Sequence, residues 1–228
     1  MDYHRPDSIG SRFRARRSGP LVAMIRAAHE QRGQVAILDV GGTREYWAIL
    51  PAALLEECRV EVTLLNRDAH AAGRHEPRFT SVTGDGCDLS RYADDTFDVV
   101  HSNSVLEHVG DWSRMTAFAH EARRVGRRYF VQTPHYWFPL EPHVMCPFFH
   151  WLPRPWRVRL LMTLHLGPWG RLRSVDAAVR VVEDARLLDQ KMLRALFPDA
   201  EIVVERLLGL PKSMIAVGAA HAAETERS

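Results

Sequence analysis

Lysine is almost missing from this chain: Lys191 and Lys212 are the only two, and arginine carries nearly all of the positive charge. Acidic residues come close to balancing it, and the net charge is only +2. Nucleic acid is bound through a field of excess positive charge, so this balance argues against such a partner, and the scattered arginines read as solvated surface. Cysteine is scarce as well. Cys58, Cys87 and Cys146 stand far apart, with no CxxC and no histidine pair at zinc-ligand spacing. The spacing therefore offers neither a disulfide framework nor a metal centre, and the expected metal set is none. No apolar run is long enough to cross a bilayer, and the polar, Arg-rich N-terminus lacks the apolar stretch of a signal peptide. The expected location is a reducing cytoplasm.

What remains is enough for one α/β domain: 228 residues, of which 46% are hydrophobic and 25% charged. Residues 1–17, with Arg5, Arg12, Arg14, Arg16 and Arg17, read as a flexible basic arm. Ser18 is positioned to cap a helix with Pro20 in its first turn. Short apolar runs then recur as strands: VAILDV at 35–40, VEVTLL at 60–65, FTSVTG at 79–84, FDVVHS at 97–102 and RRYFVQT at 127–133. Pro51 must interrupt the helical segment after the first of them, and residues 111–125 have the spacing of an amphipathic helix. Strands alternating with helices give a parallel, Rossmann-like sheet with helices on both faces. From about 135 to 175 the rhythm breaks into Pro, Trp, Phe and His, with no strand to be placed. This segment is expected to be a helical lid inserted after strand five. A helix over 184–197 and two closing strands follow, the last antiparallel, for seven strands in a domain of 18–218. Residues 219–228 read as a frayed tail.

The first strand runs into Asp39-Val40-Gly41-Gly42-Thr43. Glycine lets the backbone approach a ligand closely, and in a doubly wound sheet the ligand lies beyond the carboxyl ends of the strands. The dinucleotide pattern GxGxxG fails at Thr43 and Tyr46, which argues against NAD or FAD. Asp39 before the glycines suits a ligand with a cationic amino-acid part, such as S-adenosylmethionine, although an Asp helping to cap a plain Gly turn is the competing reading. Strand two ends in Asn66, with Asp68 two residues on. Strand three ends in Gly84-Asp85-Gly86-Cys87-Asp88-Leu89. Strand four lies in Asp94-Asp95-Thr96-Phe97-Asp98-Val99-Val100-His101-Ser102-Asn103-Ser104-Val105-Leu106-Glu107-His108-Val109.

This last pattern, an acidic turn, Phe-Asp, an apolar strand, small polar residues and Leu-Glu-His-Val, resembles the strand-four region of the type 11 group of class I methyltransferases. DVGGT with its following aromatic pair, LLN, the QTP turn, WFPLEPH, PFFHWLP and the late PKS extend the resemblance over about 35–217, toward one bacterial subgroup. It implies S-adenosylmethionine as cofactor. Ser102, Asn103 and Ser104 would line its methionine side, Asn66 or Asp68 its ribose, and Asp85 with Gly86 its adenine. Asn66 departs from the acidic residue usual in the class. The Glu107-His108 pair usually begins a helix in this group, and His108 is read as a residue that builds the fold.

Methyl transfer needs an acceptor held in line and, for a hydroxyl, a group to take its proton. His143 in the Glu-Pro-His stretch after strand five is the candidate base, with Glu141 or His135 beside it; a purely structural role is the alternative. Between 144 and 169, Phe148, Trp151, Trp156 and Trp169 alternate with arginines. As a lid they are expected to be buried against the carboxyl edge of the sheet; as a membrane-surface element they would face out. Oxygen of a small molecule, sugar or glycolipid is the expected acceptor. A non-catalytic protein that keeps the cofactor fold, a lipid methyltransferase peripheral at the inner membrane face and a different Rossmann enzyme are the rival classes.

Overall fold

Strand β1 (Val35–Val40) has buried residues at nearly every position because both of its faces are covered. It pairs in parallel with β2 (Val60–Asn66) on one side and β5 (Val99–Asn103) on the other. β3 (His75–Glu76) and β4 (Phe79–Thr83) extend the sheet beyond β2; β6 (Arg128–Pro134) continues it beyond β5. The last two strands of the sheet, β9 (Glu201–Leu207) and β10 (Leu210–Ala219), form a hairpin in which β10 is antiparallel to both β6 and β9. The order is β3-β4-β2-β1-β5-β6-β10-β9. The seven expected strands are all present, and the two-residue β3 is an addition at the edge. The structure, a computed structural model, describes residues 18–67 and 75–219. The basic arm at 1–17, Asp68 and the tail from 220 onward lie outside the described residues.

Each face of the sheet carries its own core. On one, α1 (Gly19–Arg32) buries Leu21, Ile25 and Ala28 against Ile37, Val99 and Phe130. Trp47 of α2 (Arg44–Trp47) and Leu54 of α3 (Ala52–Glu57), separated by Pro51, complete that layer. On the other, α4 (Trp112–Val125) presents Met115, Phe118, Ala119, Ala122 and Val125, the helical repeat visible in the sequence. Asp111 caps α4, its side chain accepting the Arg114 amide. Burying a side chain such as Phe118 contributes about 1.5–3 kcal/mol. Ser18, expected to cap α1, makes no side-chain cap hydrogen bond.

The segment after β6 departs furthest from expectation. It contains a short antiparallel ladder, β7 (Leu140–Glu141) with β8 (Cys146–Pro147), where no strand was expected. Helix α5 (Arg154–Thr163) follows, then α6 (Val175–Asp184), which the sequence reading passed over. The helix expected over 184–197 is only α7 (Gln190–Leu196). Asp189 caps α7 through the Met192 amide, and ahead of it the Leu188 carbonyl accepts from the Tyr136 amide, which keeps that stretch extended. Val144, Phe149, Leu161, Ala178 and Val182 form a small core of their own. Of the aromatic residues in 144–169 expected to be buried, Phe149 is, but Trp156 is 59% exposed and Phe148 52%, with Trp151 and Trp169 also turned outward, as is Trp137 before them. No helix among the described residues is long and apolar enough to cross a membrane.

Candidate active site

The carboxyl ends of β1, β2, β4 and β5 surround a cavity of about 250 Å³. Its walls include Gly41, Asn66, Asp85 and Gly86, with Val105, Val109 and Phe118 as the apolar side. Gly41 has a φ of +72°, and a Cβ there would come within 2.5 Å of Val105 Cγ2. No side chain fits the turn, which leaves its backbone open to the cavity. Gly86 is equally constrained, since a Cβ would lie 2.5 Å from Val40 and 3.0 Å from Phe118. Asn66 donates from Nδ2 to the Gly42 carbonyl at 3.0 Å, tying the end of β2 to the glycine turn.

Asp85 lies on this wall between two guanidinium groups, those of Arg67 and Arg114, and its Oδ1 accepts the Cys87 amide at 3.0 Å. Burial works to raise its pKa, but the Cys87 amide and the two arginines outweigh it and bring it down to about 2. Arg114 is in turn held by the Val109 carbonyl. An adenine amino group would therefore meet a carboxylate already shared with arginine.

Other expected cofactor residues are placed differently. Asp39 is fully buried, its Oδ2 accepting from Trp47 Nε1 at 2.8 Å and its Oδ1 2.7 Å from His101 Nδ1. It braces the aromatic pair after the glycines rather than lining the cavity. Gly42 serves Asp39, because a Cβ there would fall 1.7 Å from Asp39 Oδ2. Ser102 is buried too and donates to the Val40 carbonyl, which joins β5 to β1. Thr43 is exposed at the start of α2, with no side-chain capping bond. Asn103 is half-buried at the end of β5. Ser104 follows in a left-handed conformation, φ +56°, its hydroxyl bonded to Gln132 Oε1.

Residues 38–129, which contain this turn and cavity, match the model of a family described as a methyltransferase domain. That stretch, under half of the chain, resembles the family. Among solved structures, a SAM-dependent methyltransferase from Archaeoglobus fulgidus is 13% identical with a TM-score of 0.52; the alignment covers 89% of this chain and 95% of that one. The N-terminal domain of EvdMO1, solved in the presence of SAH and D-fucose, is 19% identical with a TM-score of 0.51, covering 88% and 83%. At these identities the likeness is one of fold. No curated protein matches the sequence.

A second cavity lies beside the first, under the inserted helices. Glu141, His143, Val144, Phe149, Arg157 and Val182 are on its walls. His108 lines the first cavity and His143 the second, and their Nε2 atoms meet at 3.1 Å between them. Behind His143, Glu141 Oε1 holds Nδ1 at 2.7 Å, while Glu141 Oε2 accepts the Val144 amide. Burial pulls the His143 pKa down, but the Glu141 hydrogen bond and the charges of Glu141, Glu107 and Asp184 outweigh it and raise the value above the ordinary imidazole range. Behind His108, Nδ1 lies 3.1 Å from both the carbonyl and the carboxylate of Asp184, at the C-terminus of α6. Glu107 is completely buried, which raises its pKa; its Oε2 accepts from the Thr133 hydroxyl at 2.9 Å.

His108, read from the sequence as a residue that builds the fold, thus stands at the junction of the two cavities. No metal-ligand set was expected from the sequence; in the fold Glu107, His108 and His143 bring three donor atoms within 4.8 Å of one another. Thirty-five positions separate the two histidines, a spacing that matches no local ligand motif. His135 does not join them. It is buried at the end of β6, its Nδ1 accepts the Trp137 amide at 3.0 Å, and burial lowers its pKa.

Proposed function

We propose that this chain transfers the methyl group of S-adenosylmethionine to a hydroxyl oxygen of a small molecule, sugar or glycolipid-type acceptor. The observation that carries the reading is the junction of the two cavities, where a glycine-lined pocket adjoins a second one across the His108–His143 pair. The first pocket suits the adenosine half of the cofactor. Val105, Val109 and Phe118 offer an apolar wall to a ring; Asn66, Asp85 and the open backbone at Gly41 and Gly86 offer polar edges. Asn103 and Ser104 at the end of β5 stand where the methionine half would lie, with the Ser104 hydroxyl bonded to Gln132, whereas Asp39 and Ser102 are buried inside the fold. When bound, the cofactor supplies a methyl group already activated on a sulfonium. The chain's own part is to position the acceptor and relieve it of a proton. His143 is suited to that, with Glu141 fixing its ring by the Nδ1 contact and leaving Nε2 toward the junction.

A lipid-linked acceptor at the inner membrane face is the second reading. It is favoured by the outward-facing Trp137, Phe148, Trp151 and Trp156, a composition suited to a headgroup layer.

Binding of S-adenosylhomocysteine tests the core of the proposal. Calorimetry should show one site, and ligand at a hundred times its dissociation constant should add about 2.7 kcal/mol to stability. No heat and no thermal shift with either form of the cofactor would remove the reading. Acceptors with free hydroxyls, headed by D-fucose, should then be screened for methylated product by mass spectrometry.

A further inference from the structure

The contact between His108 and His143 has an unusual feature: it joins Nε2 to Nε2. Nδ1 of His108 faces the Asp184 carbonyl, which can only accept, so that nitrogen carries its hydrogen. Nδ1 of His143 is held in the same way by the Glu141 carboxylate. Were both rings neutral, these tautomers would point a lone pair at each other across 3.1 Å, a repulsion that either a proton on one ring or a cation between them relieves. A third donor is beside them. Glu107 Oε1 is buried without a hydrogen-bond partner, although Oε2 of the same carboxylate is satisfied by Thr133. An orphaned oxygen on a fully buried carboxylate is costly, and a cation would satisfy it.

We propose that Glu107, His108 and His143 form a binding site for one divalent transition-metal cation, held by the two Nε2 atoms and Glu107 Oε1. Two imidazoles and one carboxylate suit zinc or its first-row neighbours; magnesium and calcium prefer an all-oxygen set. Ligand bonds of about 2.0–2.2 Å place tetrahedral donors about 3.3–3.5 Å apart. The histidine pair is already near that separation, and the glutamate carboxylate must move by up to about 1.5 Å to join it. The carboxylates of Glu141 and Asp184 behind the two rings are the partners that orient histidine ligands and strengthen them as donors. Three protein ligands leave a coordination position for water or for an acceptor hydroxyl. In the loaded form His143 is a ligand, and the cation takes over the acidification of that hydroxyl, whose proton leaves to water. The cation site does not depend on the methyl-transfer reading, because it rests on side chains alone.

The test is a titration of the chelator-stripped, full-length protein with cobalt(II) chloride, followed by visible absorption. S-adenosylhomocysteine binding is measured on the same preparation. One equivalent of cobalt should give the visible bands of a low-coordinate site, and zinc chloride should displace it. His108→Ala and His143→Ala should each weaken binding by about tenfold or more. Glu107→Gln, which preserves the packing and an oxygen for Thr133, should weaken it as well. His120→Ala, on the exposed side of α4, should change nothing. Absence of the bands in the wild-type protein would overturn the proposal in favour of a shared proton, whether or not the variants fold. Equal affinity in the wild type and both histidine variants would overturn it too, as binding elsewhere on the surface. Failure of cobalt with intact S-adenosylhomocysteine binding removes only the cation; the reverse result removes only the methyltransferase reading.

Discussion

The first cavity and the inserted segment of this molecule are built in different ways. Around the glycine turn, the walls are strand ends together with Val109 and with Phe118 of α4, packed into the large cores, and glycine is enforced by neighbours such as Val105 and Phe118. The inserted segment instead has a separate small core around Leu161 and Val182, and its largest aromatic residues face outward. The first cavity is therefore tied to the large cores, whereas the insertion packs around a core of its own.

The sharpest way to break the contrast is a pair of truncations. Phe118→Ala empties a position shared by the main core and the first cavity, and should cost about 3–5 kcal/mol and lose S-adenosylhomocysteine together with the fold. Leu161→Ala should cost about 2–5 kcal/mol confined to the insertion. Limited proteolysis should then cut within 144–175 while cofactor affinity stays within a few-fold. Equal loss of cofactor in both variants would show that the two regions are one cooperative unit.

Next in size is the effect on chemistry. Once an acceptor is known, His143→Ala should reduce turnover by about a hundredfold, the usual contribution of a positioned base, and leave S-adenosylhomocysteine binding intact. Near-normal turnover in a folded variant would exclude His143 from the reaction. His135→Ala should leave the pH profile of turnover unmoved, because its ring is committed to the Trp137 amide.

Acid provides a smaller test that falls on the side of the first cavity. The Arg124 hydrogen bond, helped by the Leu89 amide and opposed by burial, lowers the Glu121 pKa from 4.5 to about 2. A depressed carboxylate contributes stability above its unfolded pKa and loses it as pH falls through the folded one. Denaturant midpoints should therefore decline between about pH 4.5 and pH 2, and Glu121→Gln should flatten that decline by about 1–2 kcal/mol. An unchanged slope in the variant would assign the acid sensitivity to other groups.

The smallest expected signal concerns the outer face of the insertion. If the exposed aromatics meet a membrane, the protein should co-float with anionic liposomes, and changing Trp151 and Trp156 together to Ser should abolish this. Absence of flotation in the wild type would leave a soluble acceptor as the remaining reading of the second cavity.

Much of the sheet around the first cavity was legible because its determinants are local. A strand run such as VAILDV, the glycines after it and the Met115–Phe118–Ala122 repeat all express backbone periodicity within a few residues. Asp39 was misplaced because its partners, Trp47 and His101, depend on how α2 folds back onto β5. The insertion was less legible, since exposed tryptophans and a two-residue ladder leave no regular pattern, and α6 escaped notice between a proline-rich stretch and a real cap at Asp189.

By itself the sequence determined the doubly wound sheet, its antiparallel last strand and the glycine turn, because hydrophobic period and positive-φ demands are properties of consecutive residues. Only the tertiary structure decided that Glu107, His108 and His143 share one point, with Thr133, Glu141 and Asp184 behind them. Those side chains come from separate elements, the 3-10 turn after β5, the end of β6, β7 with its turn into β8, and the end of α6. Their approach is set by how the insertion packs over the carboxyl edge of the sheet, a distance that no spacing along the chain encodes.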